Sequence, residues 1–243
     1  MAQSLGWGIL ASSSLVLGGL LVMSIRIGPR SLGLVMAFGS GVLISAVSFE
    51  LVQEAFETSS WHGAVALGLL AGSVSFFAGD WLIDRFGGAD RKRPGGQQAD
   101  GSGLAIVLGI VLDGIPESFV LGLTVLQAGT VSVAFLVAVF ISNVPEAIAA
   151  TSGLLQSGWT RARVLGLWVL VMVVSGLSAL AGYALLDGAS AHVVAFVLAF
   201  AGGAILTMLA DTMMPEAFQY EGKLAGLATT LGFAVAFGIS ALE

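Results

Sequence analysis

Residues 111–123 read VLDGIPESFVLGL, and residues 140–154 read FISNVPEAIAATSGL. Each stretch lies inside an apolar run long enough to cross a membrane, yet each contains a proline followed directly by a glutamate. A third such pair occurs in residues 209–220, LADTMMPEAFQY. A carboxylate is costly inside a bilayer, and a proline within a helix removes a backbone hydrogen bond. The repetition of both features indicates a polar site within the membrane.

The composition is that of a polytopic helical membrane protein. Of the 243 residues, 57% are hydrophobic and only 10% are charged, and the mean hydropathy is +0.99. The 34 glycines fit close helix packing in lipid, and the lack of cysteine excludes disulfides and thiolate metal sites. The first apolar stretch has no basic segment before it and is too long for a signal peptide, so we interpret it as a membrane span.

Apolar runs of about 20 residues mark the membrane spans. We predict eight of them, at residues 4–26, 32–54, 63–84, 103–126, 130–154, 163–186, 191–218 and 223–242. The connections are short except for residues 87–102, GGADRKRPGGQQADGS, whose glycines and charges predict a flexible loop. We therefore expect an all-α protein with a single transmembrane domain, residues 1–243.

The basic residues give an independent test of this segmentation. All nine follow the odd-numbered spans, and they are Arg26, Arg30, Arg85, Arg91, Lys92, Arg93, Arg161, Arg163 and Lys223. The opposite connections, residues 57–62, 126–130 and 186–192, contain none. By the positive-inside rule, loop 87–102 is expected in the cytoplasm and both termini outside.

Span four contains two acids on one helix face. Asp113 and Glu117 are four residues apart, which places them about one helical turn from each other. Pro116 leaves the carbonyl of Leu112 without its helical donor, and Gly114 leaves the backbone uncovered. Two carboxylates in a low dielectric cannot both ionise unaided, so either a cation lies between them or one of them is protonated.

Span five repeats this design. Ser142 and Glu146 are four residues apart, Asn143 is adjacent, and Pro145 frees the carbonyl of Ile141. Hard oxygen ligands in this number suit a divalent cation. If the two helices face each other, they form one metal site near the middle of the membrane, with the ligands Asp113, Glu117, Ser142, Asn143 and Glu146.

Four further acids are candidates for a cation pathway. Glu50 and Glu54 lie toward the outer end of span two, where they either attract cations to an entrance or are ordinary interfacial acids. Asp211 in span seven is interpreted as facing a water-filled cavity, as an ion gate or relay. Glu216 is either part of this pathway or a solvated helix end.

These motifs resemble those of the ZIP (Zrt/Irt-like) family of divalent metal transporters, most closely its bacterial branch. Family members have eight spans, outward termini and a variable cytoplasmic loop after span three. Their fourth span typically reads His-Asn-x-Pro-Glu-Gly, matched here by residues 113–118, DGIPES. Their fifth often reads Gln-(Asn/Asp)-x-Pro-Glu-Gly, matched by residues 142–147, SNVPEA. Residues 36–57 and 201–218 resemble the second and seventh spans of the family.

Several ligand positions depart from the family pattern. Asp113 replaces a histidine, Gly114 an asparagine and Ser142 a glutamine, while the acid that many members have in span six is missing near Ala179. One site remains, and a second, adjacent site retains only Asn143 and the shared glutamate of span five. Replacing imidazole by carboxylate hardens the site, which favours manganese and iron(II) without excluding zinc and cadmium.

The resemblance implies an inverted 3+2+3 arrangement, in which spans one to three are repeated as spans six to eight around spans four and five. It also implies transport of zinc, iron(II), manganese or cadmium toward the cytoplasm by alternating access, in a bacterial inner membrane and without a prosthetic group. The expected partners are the metal ion and the lipid bilayer, with a homodimer left open and no role for nucleic acid.

Two other functions stay open. One is a proton-coupled carrier of another solute, in which the acids titrate instead of binding metal. The other is a metal-sensing homologue that does not transport, which the lost histidine favours. An intramembrane aspartyl protease is disfavoured because residues 77–80, FAGD, only approach its Gly-x-Gly-Asp motif. We therefore expect a protein that is not an enzyme.

Overall fold

The computed structural model describes residues 1–85 and 102–242. This part of the chain is helical and contains no β-strand, which confirms the all-α prediction. Its eight helices are α1 (Ala2–Ser24), α2 (Pro29–Thr58), α3 (His62–Ile83), α4 (Ser102–Ala128), α5 (Val133–Gln156), α6 (Arg161–Leu186), α7 (Ala191–Glu221) and α8 (Leu224–Ser240). The predicted loop 87–102 lies outside the described residues, apart from Ser102 at the start of α4.

The helices have the length and surface of membrane spans. In the described chain, seven are long and apolar enough to cross a membrane, and α8 is apolar but shorter, with 17 residues. Large apolar side chains cover their outer surfaces: Leu70 and Phe77 of α3 are 65% and 58% exposed, and Leu227 of α8 is 69% exposed. Such a surface requires lipid around it, so the chain is an integral membrane protein.

Local sequence explains where several helices begin and end. Pro29 lies in the first turn of α2, where its missing N–H costs nothing. Ser132 caps α5, since its hydroxyl accepts a hydrogen bond from the backbone N–H of Phe135 at 3.1 Å. Gly129 and Gly158, with φ of 73° and 86°, follow α4 and α5 and make the left-handed turns that end them.

Within the described chain, α2 and α7 change to π-helical winding part-way along their length. In α2 the segment Val47–Gln53 is π-helical, and in α7 the segment Leu209–Met213 is π-helical. Each helix then returns to α-helical geometry for its last turns. Such π-helical turns are rare in proteins, and those that occur are often found at functional sites. The candidate pathway acids Glu50 and Asp211 each lie within one of these segments.

The helices form two groups, which we call bundle A and bundle B. In bundle A, α1 packs along α5 and α6, and α6 packs along α4. In bundle B, α3 packs along α7, α8 packs along α2, and α2 contacts the end of α7. The two bundles meet mainly where α2 lies against α5, and we call this contact the α2–α5 boundary.

Glycines allow the helices within each bundle to approach until their backbones touch. A Cβ at Gly41 of α2 would overlap the carbonyl oxygen of Thr229 in α8, and one at Gly232 of α8 would overlap that of Phe38 in α2. We call such a backbone contact between two helices a seam, and two more seams have the same reciprocal contact. Between α3 and α7 the pairs are Gly72 with Phe200 and Gly203 with Leu69. Between α4 and α6 the pairs are Gly122 with Ala179 and Gly182 with Phe119. These seams are held by backbone packing, as is usual in lipid.

Candidate functional site

The two acids of α4 are deeply buried. Asp113 is 4% exposed and Glu117 is 2% exposed, although both lie in the middle of a helix that is apolar enough to span a membrane. The helix continues through Pro116, so the four-residue spacing places both carboxylates on one face. Ser178 of α6 donates a hydrogen bond to the carbonyl of Ile115 at 3.0 Å, next to the proline. Bundle A therefore satisfies part of the α4 backbone near these acids.

The polar residues of α5 are also inside the protein. Ser142 and Asn143 are buried at 0% and 4% exposure, and Glu146 is half-buried. The hydroxyl of Ser142 donates to the carbonyl of Val139 at 3.1 Å, which leaves the lone pairs of its oxygen for another partner. The helix runs unbroken through Pro145. The matched Pro-Glu motifs thus lie in two continuous helices of the same bundle.

Gly39 brings α2 close to α5 at the level of Ser142. A Cβ at Gly39 would lie 3.3 Å from Cα of Ser142 and 3.1 Å from Cε of Met213 in α7. It would also lie 3.8 Å from the carbonyl oxygen of Ile141, which Pro145 deprives of its helical donor. Sequence reasoning did not single out Gly39 or Met213. The small-residue stretch of α2 around Gly39 was the available signal.

The position of the missing acid in span six lies in a helix seam. Ala179 is fully buried, its carbonyl oxygen packs against Gly122 of α4, and its Cβ faces Gly8 of α1. A glutamate at this position would have no room. Ser175, one turn earlier, is the α6 residue that approaches Gly114, with its Oγ 4.0 Å from the place of a Cβ there. Sequence reasoning did not identify Ser175.

Glu50 and Glu54 line a cavity at the end of the molecule predicted to be outside. This outer cavity has a volume of about 450 Å³ and lies between α2 and the turn that joins α4 to α5. Glu50 accepts hydrogen bonds from Ser132 Oγ at 2.7 Å and from Ser240 Oγ at 2.6 Å. Glu54 accepts a longer bond from Gln127 Nε2, at 3.4 Å.

A second cavity lies at the opposite end of the α2–α5 boundary. This inner cavity has a volume of about 360 Å³ and is lined by residues of α1, α2, α5 and the α1–α2 connection, among them Arg26, Leu32 and Ser152. Three serines follow one another at intervals of ten residues on or beside α5, namely Ser132, Ser142 and Ser152. Ten residues of α-helix span about 15 Å along the helix axis. The buried polar residues of α5 therefore lie midway between the two cavities.

The acids of α7 have different surroundings. Asp211 is exposed on the π-helical segment of α7, and Glu216 is half-buried in the turn that follows. The structure brings neither of them next to Glu50 or the outer cavity, since α7 carries them toward its other end. Their role in a pathway stays a prediction.

The structure does not assemble the predicted ligands into a closed coordination shell. Among residues 1–85 and 102–242, no three carboxylate or imidazole groups are arranged to hold a metal ion together. The joint site of Asp113, Glu117, Ser142, Asn143 and Glu146 therefore stays a prediction. Its donor set is nevertheless all oxygen, which suits hard or borderline divalent cations.

Comparisons with known proteins do not assign the chain to a family. Neither the family models nor the curated proteins that were compared with the sequence match it. Function is therefore inferred from the residues and their arrangement.

Proposed function

We propose that this protein is a carrier of divalent metal cations across a membrane. The observation that carries this proposal is the burial of Asp113 and Glu117 side by side on one face of a membrane helix. Ionisable groups at such depth are costly and are typical of ion pathways, where a cation offsets their mutual repulsion. The buried side chains of Ser142 and Asn143 in α5 add further oxygen donors in the same bundle.

The ligand chemistry supports a class of metal. Carboxylate, hydroxyl and amide oxygens accept manganese and iron(II) readily, and zinc and cadmium also accept carboxylates. The proposed substrates are therefore zinc, iron(II), manganese and cadmium. Asp113, Glu117 and Glu146 would hold the ion, with Ser142 and Asn143 as neutral donors.

The inverted 3+2+3 arrangement is part of the proposal. The proposed repeat pairs α1 with α6, α2 with α7, α3 with α8 and α4 with α5. This pairing relates the α2–α8 seam to the α7–α3 seam, and both seams have reciprocal glycine-to-carbonyl contacts. The same exchange relates the π-helical segment of α2 to that of α7. It also relates the Pro-Glu motif of α4 to that of α5. These correspondences support a repeat of opposite orientation.

The two cavities support alternating access. They flank one boundary from opposite ends, and the buried polar residues of α5 lie between them. A small rotation of bundle A against bundle B would deepen one cavity and close the other. In the proposed orientation the chain termini lie outside, and metal moves from the outer cavity toward the cytoplasm of a bacterial cell.

Metal flux into liposomes tests this function. Purified protein is reconstituted with a metal-sensitive dye inside, and zinc, cadmium, manganese or iron(II) is added outside. We expect flux for the parent protein and a loss of at least about tenfold for Glu117→Gln and Asp113→Asn, because each removes a charged ligand. Glu57→Gln serves as the matched control, since Glu57 is exposed and accepts a hydrogen bond from Gln53 of its own helix.

Three outcomes would contradict the proposal. Absence of flux with every metal would leave the sensing alternative, provided that the metals still bind. Flux in Glu117→Gln equal to that of the parent would remove the proposed site. A proton current without any metal dependence would instead favour a proton-coupled carrier of another solute.

A further inference from the structure

The carboxylate of Glu50 joins three helices at the predicted outer end. Its Oε1 accepts a hydrogen bond from Ser240, the last residue of α8, at 2.6 Å. Its Oε2 accepts one from Ser132, the residue that caps α5, at 2.7 Å. Both bonds are short and involve a charged acceptor, which makes them about twice as strong as neutral ones.

These two bonds differ in what they connect. The bond to Ser240 stays inside bundle B, where α2 and α8 already touch through Gly41 and Gly232. The bond to Ser132 crosses the α2–α5 boundary and reaches bundle A. It stands at the edge of the outer cavity, which has room on both sides of the boundary. The Ser240 bond therefore links α2 to α8 within bundle B, and the Ser132 bond ties the two bundles together.

The surroundings of Ser132 strengthen this tie. Its hydroxyl also accepts the backbone N–H of Phe135, and its own N–H points at Thr124 Oγ1 of α4 at 3.5 Å. A displacement of Ser132 would therefore also move the end of α4 and the start of α5. These are the helices that carry the buried acids.

We propose that the Glu50–Ser132 hydrogen bond is an outer latch, which holds the α4–α5 turn against α2 and must break before the outer cavity opens toward Ser142. The latch rests on the proposed transport function, because it regulates access to the same site. Glu50 lies within the π-helical segment Val47–Gln53 of α2, a kind of winding that is often found at functional sites. Gln127 contributes a second, longer contact to Glu54 and is not the latch itself.

The chain contains no cysteine, so a single introduced thiol reports on access without background. Val131 lines the outer cavity, is 3% exposed and is not a partner in the latch hydrogen bond, so Val131→Cys is the reporter. Its rate of labelling by a polar maleimide is measured on purified protein in detergent, where orientation in a membrane does not matter. Ser152→Cys, in the inner cavity, is the reporter for the opposite end.

The substitutions separate the latch from helix capping. Ser132→Asp keeps a capping oxygen for α5 but sets a negative charge against Glu50. Ser132→Asn keeps both a capping oxygen and a donor for the carboxylate. Ser240→Ala removes the other bond to the same carboxylate and leaves the boundary intact. Glu50→Gln weakens the latch without new repulsion and replaces Ser132→Asp if that variant does not fold.

We expect Ser132→Asp to raise the labelling rate of Val131→Cys about tenfold, which corresponds to about 1.4 kcal/mol. Ser132→Asn and Ser240→Ala are expected to stay within twofold of the parent. Labelling of Ser152→Cys should not rise. An unchanged rate at Val131→Cys in both Ser132→Asp and Glu50→Gln would overturn the latch, and so would an equal rise at both reporters, which indicates general loosening.

This experiment fails or succeeds separately from the transport proposal. Labelling requires no metal, so a liposome without metal flux leaves the latch measurement intact. Conversely, a protein that transports metal but shows no change in labelling retains the proposed function and loses the latch.

Discussion

The seams inside each bundle and the boundary between the bundles are built in different ways. Inside bundle A, the α4–α6 seam places Gly122 and Gly182 against backbone carbonyls. At the boundary, Glu50 and Glu54 accept side-chain hydrogen bonds from Ser132 at the start of α5 and Gln127 at the end of α4, and a cavity lies at each end. A seam in which backbone packs against backbone cannot slide without losing that packing. A boundary held by a few side-chain hydrogen bonds beside cavities can open.

This difference indicates that bundle A and bundle B can move against each other at the boundary between them. Lipid offers no hydrophobic driving force between helices, so close backbone packing is the main source of rigidity. Where that packing is replaced by breakable polar contacts beside cavities, two arrangements of the bundles become accessible. The comparison predicts that substitutions in seams change stability, and that substitutions at the boundary change access and transport.

The largest effect is expected in a seam. Gly182→Ala places a methyl group onto the carbonyl of Phe119, so α4 and α6 must move apart. Overpacking of this kind costs about 1–3 kcal/mol and occasionally more. Gly166→Ala, in the same helix with open space around it, is the control and should leave the thermal unfolding midpoint unchanged or slightly raised. Equal midpoints for the two variants would contradict the comparison.

Metal binding is expected to stabilise the protein by a similar amount. At a free metal concentration about 100 times Kd, a ligand that binds only the folded state adds about 2.7 kcal/mol. The unfolding midpoint should rise with the transported metal and fall back when a chelator removes it. Glu117→Gln should abolish the rise. A rise of the same size in this variant would show that the metal binds elsewhere.

A boundary substitution should separate transport from stability. Gly39→Ala adds a methyl group 3.1 Å from Met213 Cε and 3.3 Å from Ser142 Cα, contacts that a small shift relieves. We expect the free energy of unfolding to change by about 1 kcal/mol or less. Metal flux in liposomes should drop several-fold, because the methyl group narrows the space beside the candidate site. A large loss of stability with normal flux would make the boundary behave like a seam.

The smallest effect is expected at the edge of the outer cavity. Gln127→Ala removes the 3.4 Å contact with Glu54, which is long and exposed and therefore weak. The free energy of unfolding should change by about 0.5 kcal/mol or less. Labelling of Val131→Cys should stay within twofold, in contrast to Ser132→Asp. If Gln127→Ala raised the labelling rate as much as Ser132→Asp, the latch would be the contact of Glu54 with Gln127 and not the Glu50–Ser132 bond.

Much of the fold follows from local patterns. The all-α class and the succession of apolar helices depend on hydrophobicity over about 20 residues, a property that each segment has by itself. The observed α3, His62–Ile83, differs by one residue at each end from the predicted span 63–84. The burial of Asp113 and Glu117 agrees with their place inside an apolar run.

The candidate site was less predictable because it depends on which helices meet. The motif comparison placed the missing acid near Ala179, but that residue faces Gly8 and Gly122 in a seam. Ser175 and Gly39 could not be singled out, since small residues are frequent in every helix of this chain. Glu50 is a candidate from its charge and its place toward the outer end of span two, but its two serine partners lie 82 and 190 residues away in sequence.

Local sequence is enough to show that this chain is helical, is apolar enough for a membrane and has acids beside prolines in two neighbouring spans. Those properties are local, because hydrophobicity and proline act on their own segment. The three-dimensional arrangement adds that α1, α4, α5 and α6 form one bundle and that Glu50 of α2 accepts a hydrogen bond from Ser132, the cap of α5. Such contacts depend on the complementary shapes of distant helices, which no single segment encodes.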